Sequence, residues 1–233
     1  MTKFISSNSN DTKSRIKLYS EVALLVGLVL NGLAVTLMIK SGLGVSTISS
    51  IPLILDLVSS KLTLGMTTFL FQLFLMAILF VVTRKIGQYV ISLGLAALFS
   101  IILEFYSRIF DGILINGIAR YLIFLVGFIL LAFGITLMIM CKLPPLPFDI
   151  FIRDMALISK KKVRTVKTIF DATCVLSTIL ISYVNFKSIY SVGIGTIFAM
   201  VFTGSAIQWL IDLINRYIIF VPRAYTKFIY HNS

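Results

Sequence analysis

The chain is poor in the residues from which most soluble active sites are built. His231 is its only histidine, and Cys141 and Cys174 are its only cysteines. Neither cysteine has metal-like spacing, which excludes a zinc centre or a disulfide framework as an organising feature. Charged residues make up 13% of the sequence, against about 25% in a typical soluble domain. No phosphate-binding loop, nucleophile elbow, HExxH or CxxC pattern occurs. Nothing therefore points to nucleotide hydrolysis or acyl transfer, and the expectation is a protein that is not an enzyme and needs no cofactor.

What the chain has instead is apolar length. Hydrophobic residues account for 58% of it, and its mean hydropathy is +1.02. Six runs, approximately 18–40, 62–83, 89–110, 118–140, 163–184 and 189–213, reach the roughly 20 helical residues that cross a 30 Å hydrocarbon core. Two shorter segments, 45–60 and 146–159, are interrupted by charge or by Ser and Thr, and fit half-helices that enter the bilayer without crossing it. The expected class is an all-α polytopic membrane helix bundle.

The net charge of +12 would suggest nucleic acid in a soluble protein. Here the basic residues lie mostly between apolar runs, and topology is the simpler explanation. With six spans and the N-terminus inside, 16 Lys and Arg fall inside and 5 outside. Eight spans divide them 15 to 6, so segment length, and not charge, favours six. The expected location is the cytoplasmic membrane, with both termini in the cytoplasm and the lipid bilayer as the first partner. The densest basic run, Lys160, Lys161, Lys162 and Arg164, fits anionic lipid or a protein partner better than nucleic acid.

"TLMIKSGLG" from Thr36 returns as "TLMIMCKLP" from Thr136. At the same offset Leu43 meets Leu143, Ser59 meets Ser159 and Lys61 meets Lys161. With one inserted residue Tyr89 meets Tyr190, Gly94 meets Gly195 and Asp111 meets Asp212. The expected organisation is a tail (1–17), a first membrane repeat (18–115), a second (118–213) and a C-terminal tail (214–233). Three spans per repeat invert the halves relative to each other, a plan common among secondary transporters.

"AFGITLMIMCKLPPLPFDIFI" (132–152), "KKKVRTVKTIFDA" (160–172) and "VGIGTIFAMVFTGSAIQW" (192–209) resemble three elements of the YczE-like bacterial membrane proteins. The chain departs from that pattern at Pro144, Asp171 and Ser205. The resemblance implies a transporter-like integral protein of the bacterial inner membrane. Because some relatives are encoded beside regulators with an aminotransferase-like domain, it also raises a vitamin B6-related solute.

Candidate site residues follow from polarity within apolar runs. Asp171 and Glu104 are intramembrane carboxylates, each with a cation four residues away (Lys167, Arg108), and are candidates for proton coupling. Asn31, Gln72 and Gln208 are uncharged polar residues in spans, suited first to helix–helix hydrogen bonds and second to ligand contact, with Asn31 and Gln208 taken as candidate substrate residues. At the breaks, Gly42 and Gly44 permit close backbone approach to a ligand or only a turn, and Ser46 or Thr47 caps the following half-helix. Asp149 either caps its counterpart or stands where that helix's N-terminus meets an anionic group. With Asp171 these residues are the candidate substrate contacts at the breaks. The leading expectation is a small-solute transporter that binds between the two breaks. The alternatives are a non-transporting scaffold or regulator working through its basic cytoplasmic loop, and the substrate-binding subunit of an ATP-driven importer.

Overall fold

The computed structural model describes residues 16–221 apart from 60, 84–86, 114, 142 and 144. Most of both tails, the basic turn Arg84–Lys85, and Lys142 and Pro144 of the second break lie outside the described residues. Six helices are long and apolar enough to cross a membrane: α1 (Ser20–Ser41), α3 (Leu64–Thr83), α4 (Gly87–Ile109), α5 (Ala119–Met140), α7 (Val163–Phe186) and α8 (Ile194–Tyr217). Two short helices, α2 (Thr47–Val58) and α6 (Pro147–Ser159), follow α1 and α5. Their 12 and 13 residues rise only about 18–20 Å, too little to cross the bilayer. The last span runs four residues past the 213 expected from hydropathy. Asp212 and Arg216 end the apolar run, but the helix continues to Tyr217.

Two short strands, β1 (Ile16–Tyr19) and β2 (Ile218–Val221), flank the bundle and pair in parallel, Ile16 with Ile218 through Tyr19 with Val221. Ile16, Lys17 and all of β2 stand where the sequence suggested tails, and Leu18 and Tyr19 where it suggested the start of the first span. The ladder holds both ends of the described chain on the same side of the membrane.

α1 and α5 form the central pair and contribute most of the main buried cluster, including Leu28, Met38 and Leu131. Their contacts carry the signature of inverted repetition. A Cβ on Gly27 would lie 2.9 Å from the Gly134 carbonyl oxygen and 2.7 Å from Met138 Cγ. A Cβ on Gly127 would lie 3.0 Å from both the Ala34 carbonyl oxygen and Met38 Cγ. Each contact becomes the other when both partners move by 100 residues. Because 27 meets 134 while 34 meets 127, the helices are antiparallel, and the halves are related by a two-fold axis lying across them. Side-chain bonds follow the same offset. Thr36 donates to the Gly32 carbonyl and Thr136 to that of Ala132; Ser41 donates to the Met38 carbonyl and Cys141 to that of Met138. The repeated "TLMI" therefore occupies equivalent places.

Small residues let these backbones approach closely where lipid supplies no hydrophobic drive. Gly134 is the tightest point, since an added Cβ would lie 2.5 Å from Asn31 Oδ1 and 3.0 Å from the Gly27 carbonyl oxygen. Gly134→Val is expected to cost about 1–3 kcal/mol of stability, the usual penalty for overpacking, seen as a lower unfolding midpoint in detergent. An unchanged midpoint would mean that α1 and α5 do not pack this way.

The half-helices are exchanged between halves. α2 packs on α7, and α6 packs on α3 through Ile150, Phe151 and Met155 against Met76 and Leu79. α1 pairs with α4 as α5 pairs with α8. One relation breaks the symmetry: α3 and α4 pack against each other, whereas α7 and α8 barely meet. The difference has a local origin. The first turns of α4, from Gly87, are helical, but the equivalent stretch Ser188–Gly193 is unwound, with Ser191 at φ 68°.

Candidate functional site

The gap between α7 and α8 is a cavity of about 1010 Å3. It is walled by α7 and α8, the start of α2, and the inner faces of α1, α3 and α5. Consecutive spans joined at one end have their free ends together. The start of α7 and the end of α8 therefore lie on one side, and α8 leads directly into β2. The charged residues of the lining, Arg164, Lys167, Asp171 and Asp212, all come from these two free ends. The charged part of the cavity thus faces the side of the β1–β2 ladder. Deeper in, the walls are uncharged: Asn31, Thr68, Gln72, Phe71 and Phe99.

Asp171 lies eight residues, about 12 Å, along α7 and is buried. Lys167, one turn earlier, places Nζ 3.1 Å from Oδ2, the i,i+4 pair expected from spacing. The Thr47 hydroxyl, 124 residues away, donates to Oδ1 at 2.8 Å. Asp171 is therefore the anion at the N-terminus of α2, where free backbone N–H groups favour negative charge. Further along, the Ser50 and Thr178 hydroxyls lie 2.9 Å apart. The two bonds advance in the same chain direction, from 47 to 50 on α2 and from 171 to 178 on α7, so the half-helix runs broadly parallel to the span that it clamps. In a Ser50→Ala, Thr178→Val double-mutant cycle the coupling is expected at about 0.6 kcal/mol, the mean for interhelical hydrogen bonds in membranes. Additive single effects would remove this clamp.

The first break is held by the opposite half. Gly42 (φ 63°) ends α1, and Arg120 donates to the Ser41 and Gly42 carbonyls at 2.7 and 3.0 Å. The Leu43 carbonyl accepts from the Gly195 N–H at 2.8 Å, and the Val45 N–H donates to Thr196 Oγ1. At Gly44 (φ 117°) a Cβ would collide with that hydroxyl and with the Gly193 backbone nitrogen. Gly42 and Gly44 therefore form a corner docked on the start of α8 and do not line the cavity. Ser46 is the cap of α2, accepting from the Ser49 N–H, and it lines the cavity with Thr47.

At the second break the structure corrects the sequence reading. Asp149 does not cap α6. Pro147 opens the helix, as proline does at a first helical position, so the cap position falls to Leu146 and Asp149 sits in the first turn. With Asn31 it lines a smaller neighbouring cavity of about 120 Å3.

Glu104 lies apart from Asp171. Its carboxylate accepts from Arg108 Nε at 2.9 Å and from the Gly65 N–H at the start of α3 at 3.1 Å. It tightens the α3–α4 pair on the side opposite the charged end of the cavity. Gln208 is on the cavity wall and donates to Asp212. Lys160, which ends α6 at φ 53°, Lys161 and Lys162 are exposed at the α6–α7 turn, and Arg164 stands at the cavity rim. Among the described residues no cluster of potential metal ligands occurs.

Sequence reasoning made interhelical hydrogen bonding the first role of Gln72, with ligand contact second, and passed over Trp209 and Asp212; all three line the cavity. The available signal was the repeat. Thr68 and Thr168, 100 residues apart, both face the cavity and both donate to the carbonyl four residues back.

Fold and site together define a multi-pass integral membrane protein of two inverted halves enclosing a polar-ended cavity. The chain belongs to a family of unknown function (DUF6198), whose model matches residues 18–212. No curated protein and no solved structure matches it.

Proposed function

We propose that the protein is a secondary transporter of a small solute, in which the two halves exchange conformations. The carrying observation is the unequal packing of equivalent pairs. On one side Gly65 of α3 is pressed against Ser100 and Glu104 of α4, where a Cβ would come within 2.6 Å of the Ser100 carbonyl oxygen. The residues equivalent to Ser100 and Glu104 in α8, Val201 and Ser205, line the cavity instead. A two-fold related chain whose halves differ in this way has a second state of similar energy. In that state α7 and α8 are packed, α3 and α4 are apart, and the cavity opens to the other side. This is the geometric basis of alternating access in inverted repeats. Winding of Ser188–Gly193 into helix, and unwinding of the start of α4, accompany the exchange.

The charge bias of the sequence favours the cytoplasmic membrane with the termini inside, so the present cavity opens to the cytoplasm. The resemblance to YczE-like proteins is part of this reading, as is the vitamin B6-related solute that it raises. The exposed Lys160, Lys161 and Lys162 then lie at the inner headgroups, where each cation contributes roughly 1 kcal/mol of attraction to anionic lipid. That suits orientation of a transporter and, in the second reading, docking of a partner.

Thiol labelling tests the proposal. In inside-out vesicles, an impermeant maleimide is expected to modify Thr168→Cys from the cytoplasmic face. Thr68→Cys is expected to become reactive from the opposite face in the exchanged state. Labelling of both from one face only, whatever the conditions, would leave a binding protein and no transporter.

A further inference from the structure

The charges around the cavity restrict what can enter it. Four ionisable side chains line it, two cations and two anions. The two nearest the buried end, Lys167 and Asp171, neutralise each other at 3.1 Å. Beyond them the lining carries no charge. Asp149 stands across Asn31 in the smaller neighbouring cavity and not on this wall. A solute with net charge would therefore reach the deep end without a counter-ion on the wall, and an unpaired charge in an apolar enclosure is heavily penalised.

That deep end has unsatisfied hydrogen-bonding capacity. Gln72 is 1% exposed, and neither its amide oxygen nor its amide nitrogen has a partner among the described residues. Asn31, at 5% exposed, donates to Met138 Sδ at 3.1 Å, but its Oδ1 has no partner. Buried polar groups are nearly always paired, and leaving them unpaired is costly. Both amides belong to the cavity wall, together with the rings of Phe71, Phe99 and Trp209. Asn31 Oδ1 is turned to Gly134 in the α1–α5 seam, so the unpaired inventory offered to a solute is the acceptor and the donor-bearing nitrogen of Gln72, beside aromatic faces.

We infer that the cavity binds a ring-containing solute without net charge, which presents both a donor and an acceptor, as a carboxamide or lactam does, to Gln72. This deepens the transport proposal and rests on its placement of the site. A bidentate amide–amide pairing with Gln72 satisfies donor and acceptor at once, and the flat ring lies against the aromatic walls. Charged analogues are rejected because a site built for neutral hydrogen bonding leaves its own groups unpaired when the ligand cannot match them.

Trp209 is the only tryptophan in the chain and lines the cavity, so it reports occupancy directly. The full-length protein in detergent is titrated with benzamide, benzoate and benzylamine, which share a ring and differ in charge. Trp209 emission is expected to change saturably with benzamide, at a concentration at least tenfold lower than for either ion. Gln72→Leu keeps the approximate size of the position and is expected to weaken benzamide about tenfold or more, the loss of roughly 1.4 kcal/mol, with an unfolding midpoint of the empty protein no lower than that of the wild type, because the unpaired amide is removed. Gln72→Glu is expected to reverse the preference towards benzylamine. Equal or tighter binding of benzoate or benzylamine to the wild type, absence of a saturable benzamide response, or indifference of benzamide to Gln72→Leu would overturn the inference. Binding as described without two-sided labelling of residues 68 and 168 would leave the ligand class intact and remove transport. Two-sided labelling with a preference for an ion would do the reverse.

Discussion

A disulfide between cysteines placed at 65 and 104 is expected to abolish solute uptake while leaving the cavity open and able to bind. The reasoning starts from geometry. A Cβ at Gly65 would lie 2.8 Å from the Glu104 Cβ, and disulfide-bonded Cβ atoms sit about 3.5–4.5 Å apart. The backbones thus need to yield by only about 1 Å. The bond fastens α3 to α4 in the packed arrangement, and the exchanged state requires these helices to part. Uptake should fall to background on oxidation and return on reduction, while the Gly65→Cys and Glu104→Cys single variants remain sensitive to neither. Native Cys141 and Cys174 are buried and free, and do not compete. Uptake that persists in fully cross-linked protein would show that α3 and α4 need not separate.

Asp171→Asn is expected to remove the dependence of uptake on a pH gradient while the protein still folds. Lys167 and Thr47 both bind the Asp171 carboxylate, so the charge of this side chain helps to hold α2 against α7. The asparagine keeps an oxygen for Thr47 but carries no charge to hold Lys167. Hydrogen bonds to charged groups are worth about 1.5–3 kcal/mol. That corresponds to a change on the order of ten- to a hundredfold in the balance between states, read as gradient-driven against gradient-free uptake in liposomes. Unchanged pH dependence would take Asp171 out of the mechanism. Glu104, held by Arg108 and by the α3 N-terminus away from the cavity, is expected to act on the closure of α3 against α4 and not on proton coupling.

Much of this architecture can be read in the sequence because lipid imposes a strong pattern. Apolar length sets the spans to within a few residues, and the offset between Thr36 and Thr136 marks positions that make the same bonds. The i,i+4 pairs Lys167–Asp171 and Glu104–Arg108 are local, and they form as their spacing suggests. What could not be read depends on non-local geometry. The bond between Thr47 and Asp171 joins two halves of the chain. The Asp149 cap failed because the helix starts three residues earlier than expected, at Pro147, which moves the cap position from Asp149 to Leu146. The gap between α7 and α8 has no hydropathy signature. "GQYVISLG" and "SIYSVGIG" align across the repeat, yet one is helical and the other unwound. In the second, the central Ser-Val-Gly adopts Ser191 at positive φ and an extended Gly193.

The exchange of conformation between halves is tested most directly by distance. Spin labels at 66 and 109 report α3 against α4, and labels at 163 and 217 report α7 against α8; all four positions are exposed. In a Gly65→Val background, whose branched side chain needs more room between α3 and α4 than the roughly 1 Å that admits a cysteine, the first distance is expected to lengthen and the second to shorten. A first distance that grows while the second stays fixed would mean that the halves move independently, and the account of alternating access would fail.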